Sequence, residues 1–230
     1  MYNNIDLDLR NTNAFLRKVF VYMSLGILVS FGVAFYALFI NPNILYSISR
    51  YFSFLIIAQV AMVLSLSFAI NKISGGTAKL LFFLYAGLTG LTLTGVGLAY
   101  DVLTILYAFT TTFIIFVVTA IFGYATQEDL SSYRRFFMIG LISLIIMGII
   151  NIFLGVGLLY WIETILGVVI FSGLIAYGVN RIKYLAYNLA DADGENLDNL
   201  DKYSVIGALS LYLDFINLFL YILRIFGRKK

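Results

Sequence analysis

The stretch YSVIGALSLYLDFINLFLYILRIF, Tyr203–Phe226, decides how this chain is read, because it is long enough to cross a bilayer yet carries Asp214 near its middle. A charge at that depth costs about 2.5–3.5 kcal/mol on insertion scales, so an acid retained there calls for a physical reason. Ser210, Asp214, Asn217, Tyr221 and Arg224 follow a four-three-four-three spacing that puts all five on one helical face. Leu209, Tyr212, Phe215, Ile216 and Phe219 lie elsewhere on the same helix. A polar stripe of this kind should face protein or water rather than lipid.

Outward from this segment the chain is apolar almost throughout. Uncharged runs extend over Val19–Ile40, Tyr51–Ile70, Leu80–Tyr100, Val102–Thr126, Phe136–Ile162 and Thr164–Asn180, each near or above the roughly 20 residues that span a membrane. Hydrophobic residues make up 62% and charged residues 12% of the sequence, against about 25% charged in a soluble domain. The predicted class is an all-α polytopic membrane protein with one membrane domain over 19–227, an amino-terminal cytoplasmic segment over 1–18 and a basic tail over 228–230. Asp6 and Asp8 and the length of the first apolar run argue against a cleaved signal peptide, so the first helix is read as retained.

The fifth and sixth runs are nearly continuous; the break is expected around Gly155, Gly157, Tyr160 and Trp161, where glycine ends a helix and aromatics suit the headgroup level. Small residues at Ala86 and Gly90, Gly148 and Gly155, and Gly167 and Gly173 suit close helix contacts.

Lys and Arg number three before the first span, then one, two, none, two, none and three in successive loops, with four from Arg224 onward. The even connections and the amino terminus together hold ten against one on the other side, which places the amino terminus in the cytoplasm. The tail opposes this, since a spanning seventh helix sends four basic residues outward. Either the last segment is re-entrant or the charge rule fails at its end; its length favours a full span.

Without Cys or His, the chain lacks disulfides, thiolate nucleophiles, the usual zinc ligands and any Ser/His/Asp relay. No enzymatic role and no cofactor are expected. A net charge of +3 with basic residues at helix ends gives no nucleic-acid surface. The segment Asp191–Asp201 (DADGENLDNLD) fails as an EF-hand, because its sixth position is Asn196 rather than Gly and its twelfth is Lys202 rather than Glu; it reads as a solvated acidic loop. Glu128 and Asp129 with Arg134 and Arg135 read as a charged connection, and Glu163 beside Trp161 as an interfacial residue.

Asp214 admits two roles. A protonated acid bonded to a neighbouring helix would merely hold the bundle together; an acid on a pathway would attract a cation or proton, with Asn217 and Ser210 completing a small oxygen set. One carboxylate with amide and hydroxyl oxygens binds calcium weakly, which suits conduction better than storage.

Several blocks carry a resemblance to a known family: LYAGLTGLTLTGV (Leu84–Val96), GYATQEDL (Gly123–Leu130), LISLIIMGIINIFL (Leu141–Leu154), VVIFSGLIAYGVNRIK (Val168–Lys183) and ALSLYLDFINLFLYILRIFG (Ala208–Gly227). In this order they resemble the Bax-inhibitor family, the transmembrane Bax-inhibitor-motif proteins. The resemblance implies six helices around a central seventh, a calcium leak sensitive to pH, and roles in stress responses. It also implies a second aspartate late in the sixth helix, sharing a proton with the one matched by Asp214. Here that stretch reads Tyr177, Gly178, Val179, Asn180, so Gly178 stands where the acid should be. An acid and an arginine that the family often shows in the second helix are replaced by Gln59 and Ala69. A lone carboxylate titrates alone, so the expectation is a passive calcium-permeable leak with weakened or altered pH gating. Asn180 and Arg181 are expected to latch the cytoplasmic end to the polar face of the seventh helix. The alternative is a non-transporting membrane adaptor that regulates a membrane protease or a stress response. The implied partners are the lipid bilayer, calcium or protons, and in the alternative a membrane protein; the implied location is the bacterial inner membrane.

Overall fold

The apolar runs become helices, because a chain surrounded by hydrocarbon must pair its own N–H and C=O groups. The computed structural model describes the backbone of residues 2–69, 73–192 and 197–227 and the side chains of 12–66, 73–187 and 201–227. Its helices are α1 (Tyr2–Phe35), α2 (Asn43–Arg50), α3 (Phe52–Ala69), α4 (Gly75–Ala99), α5 (Val102–Ala125), α6 (Arg134–Leu154), α7 (Gly157–Ala192) and α8 (Leu197–Phe226). A π-helical turn, Tyr36–Ile40, ends α1, and a 3-10 turn, Leu130–Tyr133, precedes α6. No strand occurs among the described residues. Six helices are long and apolar enough to cross a membrane, or seven if the bent pair α2 and α3 is one span. The protein is therefore an all-α polytopic membrane protein.

Local chemistry sets the helix ends. Ser74 caps α4, its Oγ accepting from the Thr77 N–H at 3.2 Å. Gly155, at φ 61°, ends α6 in the left-handed conformation that glycine adopts without a Cβ penalty, at the break the sequence indicates. Asn151 Oδ1 then accepts from the Val156 N–H at 3.0 Å, which steadies the turn.

Three elements differ from expectation. The first helix begins at Tyr2 rather than at the apolar run, and its buried stripe of Phe15, Leu16, Val19 and Met23 starts before the uncharged stretch does. The second apolar run is α3, joined to α2 at a bend of 72° rather than standing alone. The acidic segment is shorter than a loop over 191–201, because α7 continues to Ala192 and α8 starts at Leu197; residues 193–196 lie outside the described residues. α8 itself is one unbroken helix of 30 residues, the form of a full span rather than a re-entrant turn.

The chain divides into two compact units, residues 1–101 with 186–212 and residues 102–185 with 213–230. In the first, α1 and α4 cross closely at Gly90, where a Cβ would fall 2.5 Å from the Ser30 carbonyl oxygen. Ser30 Oγ lies 2.7 Å from the Ala86 carbonyl and 2.6 Å from the Tyr212 hydroxyl. Serine has one proton to give; with that proton on a carbonyl, Tyr212 donates to Ser30. Asp201 lies between two lysines, 3.0 Å from Lys18 Nζ and 2.5 Å from Lys79 Nζ. Gln59 donates to Thr92 Oγ1 at 3.2 Å, while the side chain of Ala69 lies outside the described residues.

In the second unit, Phe109 and Phe116 of α5 meet Phe215 of α8 edge-on, with centroids 5.8 and 5.7 Å apart. α5 and α7 approach so closely at Gly123 that a Cβ there would collide with the Ala176 backbone. Gly167 admits the Tyr221 ring in the same way, a Cβ there lying 2.6 Å from it. The small residues at these three crossings act in packing.

Candidate ion-pathway site

The site lies in the second unit. The apolar side of α8 is the packed side: Phe215, Ile216 and Phe219 are buried, whereas Asp214, Asn217, Tyr221 and Arg224 are half-buried. Asp214, Asn217 and Tyr221 line a cavity of about 540 Å³, whose far wall is α6, with Leu144, Ile145 and Ile149 among its residues. The stripe read from the sequence therefore faces an internal space for three of its five members.

Asp214 makes no hydrogen bond or ion pair with another described residue. Asn217 donates its Nδ2 proton to the Leu213 carbonyl at 2.8 Å. Its side-chain oxygen bonds no other described residue and is left as an acceptor beside Asp214. Ser210 is exposed and is not among the residues lining the cavity, so the expected oxygen set loses its hydroxyl.

Glu163 adds a member that the stripe on α8 does not include. It is buried, 5% exposed, and lines the same cavity. Its Oε1 accepts from Arg224 Nη1 at 2.9 Å and, at a longer 3.4 Å, from the Tyr221 hydroxyl. Arg224 also lies over the rings of Tyr221 and Tyr160, 4.8 and 5.5 Å from their centroids. The cavity thus holds two acids in different states of compensation. Glu163 has a cation on it; Asp214 has none among the described residues. Asp214 is therefore not the only acid that lines this cavity.

The expected latch also falls elsewhere. Asn180 does not reach for α8: its amide donates to the Gly123 and Glu128 carbonyls at 3.3 and 3.1 Å, and its oxygen accepts from the Leu130 N–H at 3.0 Å. All its close bonds go to GYATQEDL, the segment that ends α5. Lys183 adds bonds to the Tyr124 and Thr126 carbonyls at 3.0 and 2.7 Å, where the exposed carbonyls of a helix end favour a cation. Arg181 is exposed. Gly178, at the position of the missing acid, is buried in α7. In the same connection, Asp129 caps the 3-10 turn, accepting from the Ser131 N–H at 2.8 Å. That backbone bond holds the carboxyl below its usual range, with the Ser131 hydroxyl acting in the same sense.

No group of three or more acidic, His or Cys residues that could hold a metal occurs among the described residues. Asp214 and Asn217 together form an oxygen-poor set that would hold a hard cation only weakly.

Comparison with known proteins places this architecture among relatives. The family described as "Inhibitor of apoptosis-promoting Bax1" matches residues 12–230. The chain is 38% identical to the inner membrane protein YbhL of Escherichia coli over 218 residues, covering 94% of this chain and 92% of that protein. It is 39% identical to an uncharacterised protein of Borreliella burgdorferi over 221 residues, 95% and 93% of the two chains. An uncharacterised membrane protein of Streptococcus pyogenes is 34% identical over 236 residues, covering 100% of this chain and 97% of its own length.

Proposed function

We propose, because this chain belongs to the family of inhibitors of apoptosis-promoting Bax1, that it is a passive cation leak, permeable to calcium, whose pathway passes Asp214. One observation carries the reading: Asp214, on an apolar helix long enough to span a membrane, lines a cavity among α6, α7 and α8 and is tied to no other described residue. An acid serving only to hold helices together would be hydrogen-bonded, since buried polar groups nearly always are. An acid on a pathway keeps its oxygens free for what passes, and weak coordination by one carboxylate lets an ion leave as readily as it enters.

Gating by pH is weakened in this reading, because Gly178 leaves Asp214 without a second carboxylate with which to share a proton. Glu163 does not take that role, since Arg224 already holds it. The protein sits in the bacterial inner membrane with its amino terminus in the cytoplasm, a placement supported by the ten-to-one basic asymmetry and by the name of the Escherichia coli relative.

Calcium flux into liposomes containing the purified protein tests the reading. Asp214→Asn is expected to lower flux at least tenfold at neutral pH, and the wild type to vary with pH less steeply than Gly178→Asp. Equal flux from wild type and Asp214→Asn removes Asp214 from the pathway and with it the proposal.

A further inference from the structure

The cavity that holds Asp214 has a chemistry beyond the passage of small ions. Its volume of about 540 Å³ lies in the range of small-molecule sites, roughly 300–1,000 Å³. Its walls are mainly the aliphatic side chains of α6 and the ring faces of Phe171 and Tyr221, which stack at 5.7 Å and 29°. Into this apolar space project two acids, and the ion pair of Glu163 with Arg224 leaves Asp214 as the one without a counter-charge among the described residues.

From this we infer that the cavity is a binding site for a cationic amphiphile, an organic monoamine with an apolar body, whose ammonium group pairs with Asp214 while its hydrocarbon lies against α6. Charge and shape both select this class. A hard metal ion wants several oxygens and finds one carboxylate and one amide. A neutral apolar molecule would fill the walls yet give the acid no charged partner, and an anion would meet two acidic side chains and, among the described residues lining the cavity, no free cation. A protonated monoamine supplies one positive charge that favours the ionised form of Asp214 and pairs with it, and the free oxygen of Asn217 can accept a second ammonium proton.

Access follows from the same wall. Ile145, Ile149 and Ile152 line the cavity and are 55, 52 and 80% exposed, on the candidate span with the smallest buried share. A molecule already dissolved in the bilayer therefore meets the site from the side, without crossing water.

The inference goes beyond the leak, since it needs the cavity and its unmatched charge but no conduction. It is tested by calorimetric titration of the full-length protein in phosphatidylcholine nanodiscs with n-octylammonium, n-octanol and n-octanoate, corrected for empty nanodiscs. Octylammonium is expected to bind at least tenfold more tightly than octanol, and octanoate more weakly than either. In Asp214→Asn the preference for the amine should vanish while octanol affinity persists, which also reports that the cavity is intact. Equal affinities in the wild type, as for a site filled only by a lipid chain, overturn the inference, and so does an amine preference that survives Asp214→Asn. Should that variant bind neither probe, Asp214→Glu decides: retention of the preference supports the site and its loss overturns it. Absence of the preference beside Asp214-dependent calcium flux defeats this inference alone, whereas amine binding without such flux defeats only the leak.

Discussion

The buried pair between Glu163 and Arg224 makes an asymmetric prediction. The Glu163 side chain is 7% exposed and that of Arg224 34%, with 2.9 Å between Oε1 and Nη1. Arg224→Gln leaves a carboxylate sealed among apolar side chains without its cation, a change that costs about 3–5 kcal/mol where buried pairs are broken. Glu163→Gln leaves instead a guanidinium with access to solvent, in the last turn of α8, where the terminal carbonyls favour positive charge. Its stem can carry the charge towards the interface, and its contacts with the Tyr221 and Tyr160 rings survive. The loss is then that of one charge-assisted hydrogen bond, about 1–2 kcal/mol after allowance for the exposed partner. The double variant, with two amides able to bond each other, should cost no more than Glu163→Gln alone, so the coupling energy is at least that of Arg224→Gln alone, about 3–5 kcal/mol. Reversible unfolding in bicelles, followed by steric trapping or by SDS titration, measures all four corners of the cycle. Equal single costs that add in the double variant to within about 0.5 kcal/mol would refute the compensation on which the contrast between Glu163 and Asp214 rests.

Two further outcomes follow from the other unit and from the α5–α6 connection. Gly90→Ala sets a Cβ 2.5 Å from the Ser30 carbonyl and 3.1 Å from its Cα, backbone atoms that no rotamer change can move, so α1 and α4 must separate at a cost of about 1–3 kcal/mol in the same unfolding assay; an unchanged midpoint would show that the crossing is looser than described. Asp129 holds its turn through the Ser131 N–H, and its lowered native pKa means that this contribution is complete above the ordinary carboxylate range and is lost as pH falls through the native value. The Ser131 amide resonance should therefore titrate at a lower pH than a free aspartate, and the step should disappear in Asp129→Asn; titration at the ordinary value would remove the bond from the solution structure.

The spans were legible because lipid leaves a backbone few options: a long uncharged run has to be helical, and Gly155 ends one such run at a φ that residues with a Cβ rarely adopt. What the runs did not disclose was set by contacts distant in sequence. Helix α1 extends down to Tyr2, and buried residues such as Phe15 and Leu16 continue its packed stripe before the uncharged run begins; hydropathy alone cannot distinguish such a stripe from a polar tail. The 72° bend between α2 and α3 falls at Tyr51, where the sequence has neither Gly nor Pro to announce it. Asn180 was assigned the wrong partner because spacing along α7 indicates which face a side chain is on, not which neighbour that face meets; its bonds go to residues about 50 positions earlier.

Glu163 shows the same limit in the site itself. Six residues inside α7 and beside Trp161, it looks in sequence like any acid at a headgroup boundary, and its partner lies 61 residues away. Once the pair is seen, the roles of the two acids separate by charge accounting rather than by depth. A carboxylate with a guanidinium upon it is a fixed element, costly to unmake and poorly suited to exchanging partners. A carboxylate in the same cavity with no such partner has its compensation still to be supplied, by a proton, a passing cation or a bound amine. On the proposed readings, what enters this cavity is selected at Asp214, while the ion pair of Glu163 with Arg224 ties α7 to α8 beside it.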